Sequence, residues 1–137
     1  MLKWIHRAVG AILFAAATIP ASAQVASPDG RNVVNVQISE GGLFWTLKRD
    51  GKDLFLPSRL GFAFRGAPML RDSLRIVGTS KSSHDETWTQ PWGEVARVRD
   101  HYNEMRWSVQ ETGRRSRKFD VVARAFNDGI GFRYEIP

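Results

Sequence analysis

The chain has 137 residues, is 42% hydrophobic and 25% charged, carries a formal net charge of +6 and contains no cysteine. That length holds one core, which excludes a complete TIM barrel or a doubly wound nucleotide fold with a second domain. Without cysteine, disulfides, thiolate nucleophiles, zinc ribbons and iron–sulfur clusters are excluded, and any chemistry must use oxygen, imidazole or amine groups.

The N-terminus combines Lys3 and Arg7, an apolar run over residues 8–19, the helix breaker Pro20 and the small residues Ala21, Ser22 and Ala23. This order predicts a secretory signal peptide over residues 1–23, cut after Ala23. The apolar run is shorter than the ~20 helical residues that span a bilayer. The expected product, residues 24–137, is exported, periplasmic or secreted, with no membrane attachment after cleavage. Its positive excess is mild once Lys3 and Arg7 are gone, so nucleic acid is not an expected partner. One basic cluster, Arg114-Arg115-Ser116-Arg117-Lys118, reads as a solvated hairpin end, with a phosphate-binding patch as the alternative.

Past residue 30 the dominant period is two, the spacing of a strand with one buried face. Val34, Val36 and Ile38 alternate with polar residues, and Trp45 and Leu47 follow in the same way. Asp50-Gly51 predicts a tight hairpin turn into residues 53–56. Residues 60–65 and 74–78 read as short strands. Residues 80–85 are polar and rich in turn formers, so they read as an exposed loop. Met105, Trp107 and Val109 share one strand face. Residues 119–126 are apolar on both faces, as in a central strand. Asn127-Asp128-Gly129 predicts a second hairpin turn into the alternation of Phe132, Tyr134 and Ile136. Trp45, Trp107, Phe119, Phe126 and Phe132 are expected in the core, and Gly51 and Gly129 at positive φ. No segment has a sustained 3.6-residue period, so the predicted fold is all-β, an antiparallel sandwich. The end at Pro137, directly after a well-formed strand, reads as that of a fragment whose sandwich is incomplete.

Residues 85–94 combine Trp88, Trp92, three carboxylates and a Pro-Trp-Gly bend without strand alternation, and RVRDHYNE follows over residues 97–104. Loops on a rigid sheet carry binding more often than strands do. Trp88 and Trp92 suit the C–H faces of sugar rings, and an indole N–H can reach a hydroxyl; the competing reading is that they cap the sandwich. Glu94, Asp100 and Glu104 can accept sugar hydroxyls or assist a cation, or else pair with Arg97 and Arg99. His101 beside Asp100 suggests an oriented imidazole, and Asn103 can satisfy a neighbouring backbone group.

These residues carry a resemblance. SPDGRNVVNV (27–36), LKRDGKDLFLPSRLGF (47–62), DETWTQPWGEVARVRDHYNE (85–104) and FNDGIGFRYEIP (126–137) are similar to the N-terminal domain of glycoside hydrolase family 97, bacterial α-glucosidases and α-galactosidases. The block at 85–104 is the most specific of the four. The resemblance implies the opening part of a galactose mutarotase-like super-sandwich, which precedes a catalytic (β/α)8 barrel absent from these 137 residues. It further implies that the catalytic carboxylates and nearly all ligands of a calcium ion lie beyond residue 137, so no catalytic or metal residue is assigned here. The candidate substrate-binding rim is Trp88, Trp92, Glu94, Asp100, His101, Asn103 and Glu104. The implied partners are the protein's own barrel and an oligosaccharide. Two alternatives stay open: a free-standing carbohydrate-binding module, and an aldose-epimerase-like enzyme using His84 or His101.

Overall fold

The computed structural model describes residues 22–137, which contain eight strands and no helix. The predicted leader lies outside the described residues except for Ser22 and Ala23, which open β1. The strands are β1 (Ser22–Ala26), β2 (Asn32–Ser39), β3 (Gly42–Arg49), β4 (Lys52–Leu60), β5 (Leu74–Thr89), β6 (Arg97–Glu111), β7 (Lys118–Phe126) and β8 (Ile130–Glu135). They form two antiparallel four-stranded meanders, β1-β2-β3-β4 and β5-β6-β7-β8. The architecture is the antiparallel sandwich that the two-residue period predicts.

One face of each meander supplies the core. Val34, Val36, Leu43 and Leu47 of the first sheet meet Met105, Trp107, Val109, Phe119, Val121 and Ala123 of the second, all buried. The central position of β7 explains why it is apolar on both faces: Val122, on its outer side, is also fully buried, beneath the Arg106–Asp120–Glu135 ion pairs. The turn after β3 is as predicted. Asp50 and Gly51 both adopt positive φ, 51° and 76°, between the paired residues Arg49 and Lys52, as a two-residue hairpin turn that follows sheet twist requires.

Several expectations are corrected. Residues 60–65 are not a strand: β4 ends at Leu60, and Phe62 makes only an isolated bridge to Leu70. Gly61, at φ 139°, ends it where a Cβ would sit 2.7 Å from the Leu70 carbonyl. Residues 80–85 are not a loop but the middle of β5. Gly129 is not in the left-handed region; its carbonyl accepts the Phe126 N–H at 2.8 Å, closing the turn around Asn127 and Asp128. Phe132 is 45% exposed and Phe126 is only half-buried, whereas Trp45, also half-buried, packs against the core as expected. Phe132 and Phe55 each lie 5.4 Å from Trp45, at the open seam where β4 and β8 face one another.

Candidate functional site

Residues 85–104 are mostly strand. Asp85 to Thr89 finish β5 and Arg97 to Glu104 begin β6, leaving residues 90–96 as the only turn. The last β6–β7 pair is Tyr102 with Phe126. Beyond it, five β5–β6 pairs, from Asp85↔His101 to Thr89↔Arg97, continue without a third strand among the described residues. At about 3.4 Å per residue this two-stranded arm overhangs the sandwich by roughly 17 Å.

The tip is held together by its own polar groups. The Gln90 N–H donates to the Ala96 carbonyl at 3.0 Å, and the Gln90 side chain donates to the Val95 carbonyl at 2.8 Å. Gly93 sits at φ 111° against that side chain, where a Cβ would meet Nε2 at 2.9 Å. The result is a stapled turn that displays Trp92 at 83% exposure, with Val95 exposed beside it.

Strand alternation divides the candidates between two faces. Trp88, Asp100 and Glu104 point away from the opposing sheet, in line with His84, Glu86, Val98 and Tyr102. His101 and Asn103 lie on the other face with Ser83, Asp85 and Arg99. Trp92 and Glu94 belong to the tip. The seven residues are therefore brought onto one arm but not into one cleft. Consecutive strand residues face opposite ways, so Asp100 does not orient His101; the carboxylate nearest to His101 is Asp85, at 3.9 Å.

On the outer face, the His84 Nε2 lies 3.6 Å from both Glu86 and Asp100, and its ring stacks on Tyr102 at 5.1 Å. The Arg124 guanidinium covers the same tyrosine at 4.3 Å and donates to Glu104 at 2.7 Å. Glu104 thus pairs with Arg124, and more distantly with Arg133 at 3.6 Å, rather than with Arg97 or Arg99. On the inner face, Arg99 donates twice to Asp85, both bonds at 2.7 Å. Arg99 is the first cause holding the Asp85 carboxyl below the usual aspartate range. Asn103 does satisfy a neighbouring backbone, donating to the Ala26 carbonyl at 2.9 Å and accepting from Ser83 at 2.9 Å.

Neither the His84–Tyr102 stack nor the Asp85–Arg99 pair is evident in the linear sequence. Their spacing in cross-strand register is the signal that finds them, and it requires knowing that β5 and β6 pair. A hollow of ≈ 460 Å³ lies elsewhere; Val77, Ser108, Lys118, Asp120, Glu135 and Ile136 are among the residues that line it. Among the described residues no group of three or more His, Cys, Asp or Glu side chains is placed to hold a metal ion.

The family model described as Glycosyl-hydrolase 97 N-terminal matches residues 25–137. The chain belongs to this family. A retaining alpha-galactosidase from Bacteroides thetaiotaomicron is 28% identical over 110 residues, 80% of this chain and 16% of that protein. A probable retaining alpha-galactosidase from Streptomyces bingchenggensis is 29% identical, covering 100% of this chain and 24% of its own length. Among solved structures, a glycoside hydrolase family 97 enzyme from Pseudoalteromonas sp. in complex with panose superimposes with a TM-score of 0.81 at 30% identity. That match covers 84% of this chain and 17% of the enzyme; the same enzyme is also seen in complex with acarbose. A beta-arabinopyranosidase, 22% identical with a TM-score of 0.74, shares the fold. This glycosyl-hydrolase 97 N-terminal chain thus spans only about a sixth to a quarter of the length of the relatives named first.

Proposed function

We propose that this chain is the non-catalytic N-terminal part of an exported α-glycosidase acting on α-glucosidic or α-galactosidic bonds. The family match over residues 25–137 carries the enzyme class, and the predicted leader over residues 1–23 carries export to the periplasm or medium. Glycoside hydrolysis needs two carboxyl groups, ~5 to 9.5 Å apart according to mechanism. In this reading the catalytic barrel supplies both. Among the described residues no group of three or more His, Cys, Asp or Glu side chains is placed to hold a metal ion, so no step is routed through the family's calcium.

The β5–β6 arm is the part we assign to the barrel. A two-stranded hairpin is marginal alone in water, yet this one is regular up to a stapled tip that holds Trp92 outward. An arm of that kind needs a surface to lie on. Laid against the barrel mouth, its outer face offers Trp88 to a sugar ring and Asp100 to hydroxyls, while Glu104 stays engaged by Arg124 at the root. The 47% exposure of Trp88 and the 83% exposure of Trp92 also favour a second reading, a sugar-binding platform that works without a barrel.

Trp88→Ala and Glu94→Gln in the full-length enzyme should lower kcat/KM by a factor corresponding to ~1 to 3 kcal/mol, with little change in melting temperature. If Trp92→Ala, Trp88→Ala and Glu94→Gln lower only the melting temperature, the arm joins domains and touches no substrate. Values unchanged in both assays would remove the arm from consideration. Saturable binding of maltooligosaccharides by the 137-residue chain itself, lost in Trp92→Ala, would favour the platform.

A further inference from the structure

Three Asp-Gly steps occur in this chain, each in a hairpin turn: Asp29-Gly30 after β1, Asp50-Gly51 after β3 and Asp128-Gly129 after β7. A glycine after aspartate presents an unhindered amide nitrogen to the aspartate side chain, because it has no Cβ. By local sequence the three are equivalent. Their surroundings separate them.

The Asp50 carboxylate is gripped by Arg31, with Nε at 2.7 Å and Nη2 at 2.9 Å, on a backbone at φ 51°. The Asp29 carboxylate accepts from the Ser27 hydroxyl at 2.5 Å and from the Arg31 N–H at 3.1 Å. There the attacking nitrogen is also occupied, since Gly30 donates to the Ser27 carbonyl at 2.8 Å. Asp128 is exposed. Among the described residues its carboxylate has no hydrogen-bond or ion-pair partner, and neither has the Gly129 N–H.

We propose that Asp128-Gly129 is a modification site, where the folded chain forms a succinimide and converts to isoaspartate ahead of the other two Asp-Gly steps. The Gly129 nitrogen adds to the side-chain carboxyl carbon of Asp128. A C–N bond forms, and one carboxyl oxygen leaves as water with the amide proton and a second proton. Water then reopens the ring at the main-chain carbonyl, so the chain runs through the side-chain carbon and a free α-carboxylate remains. One water is released and one consumed, with no oxidant or reductant.

The consequence falls on the contact between the sheets. The added backbone methylene enters the turn closed by the Phe126–Gly129 bond. The same turn accepts from Asn32 at the Phe126 and Asn127 carbonyls, at 2.8 and 3.3 Å, and from the Asp29 N–H at Asn127 Oδ1, at 3.0 Å. Lengthening it pulls on the link between β1–β2 and β7–β8, and the modified chain should melt lower than the unmodified one.

The test is prolonged warm incubation of the full 137-residue chain at neutral pH, folded and in urea, followed by digestion and fragmentation that distinguishes isoaspartate from aspartate. Isoaspartate should accumulate at position 128 several-fold faster than at 50 or 29 in the folded chain, and at similar rates at all three in urea. Asp128→Glu should abolish the leading signal, and Arg31→Ala should raise the rate at Asp50 while leaving Asp128 unchanged. Equal rates at the three positions without urea, or a lead by Asp29 or Asp50, would overturn the proposal.

Discussion

Asn32 is the polar residue on which the sheet-to-sheet contact turns. It is 2% exposed; its amide donates to the Phe126 carbonyl at 2.8 Å and its Oδ1 accepts from Arg49 at 2.8 Å. Removing one partner of a buried bond leaves the other unsatisfied, at a cost of about 1–3 kcal/mol. Asn32→Ala should therefore lower stability by about 2 kcal/mol in urea unfolding, and a midpoint equal to that of the parent chain would show that water replaces the amide. Arg106 is the corresponding residue on the outer face. It donates to Glu135 at 2.5 Å and to Asp120 at 2.6 Å, and it is the first cause, with Arg133, of a Glu135 carboxyl held below the ordinary glutamate range. A depressed pKa in the folded state means that protons bind the unfolded chain more readily. The stabilisation is complete above the usual glutamate pKa and is lost as pH falls through the folded value. Arg106→Gln should flatten the acid limb of melting temperature against pH, and a limb of unchanged slope would locate that pH dependence elsewhere.

At the scale of elements, β1 links the expected processing site to the core. Ala23 pairs with Val36, and its carbonyl accepts the indole N–H of the fully buried Trp107 at 3.2 Å. A cut after Ala23 leaves β1 as residues 24–26 and removes that acceptor. A chain beginning at Gln24 should thus be less stable than one beginning at Ser22 by about 1 kcal/mol, measured as the difference in urea midpoints; identical midpoints would show that the first two residues of β1 contribute nothing. The β5–β6 arm was the element hardest to read from sequence. Strand patterns are recognised by one buried face, and in the middle of β5 residues 80–85 have none, all being exposed except the half-buried His84, so they read as a loop although each has a cross-strand partner. Pro57 is tolerated within β4 because that strand lies at the edge of its sheet.

For the whole molecule, the seam between β4 and β8 dominates solution behaviour. Leu54, Phe55 and Leu56 of β4 and Phe132 of β8 are all at least 45% exposed, and both strands end their sheets. Apolar side chains beside unpaired strand edges favour association. Purified alone, the chain should self-associate or melt marginally, as followed by light scattering and calorimetry. A monomer with a cooperative transition well above ~45–65 °C would contradict this. The fold class, the Asp50-Gly51 and Asn127-Gly129 turns, and the central place of β7 were legible in sequence, because a two-residue period and turn chemistry are local properties of the chain. So was the family, through the blocks at 27–36 and 85–104. The separation of the seven candidates into two faces and a tip was not legible, nor was the contact of Asn32 with the β7–β8 turn 94 residues away. Which side chains of β6 and β7 face inward is fixed by the packing of Trp107 and Phe119 into the core. Only tertiary structure decides which exposed residues that packing places together.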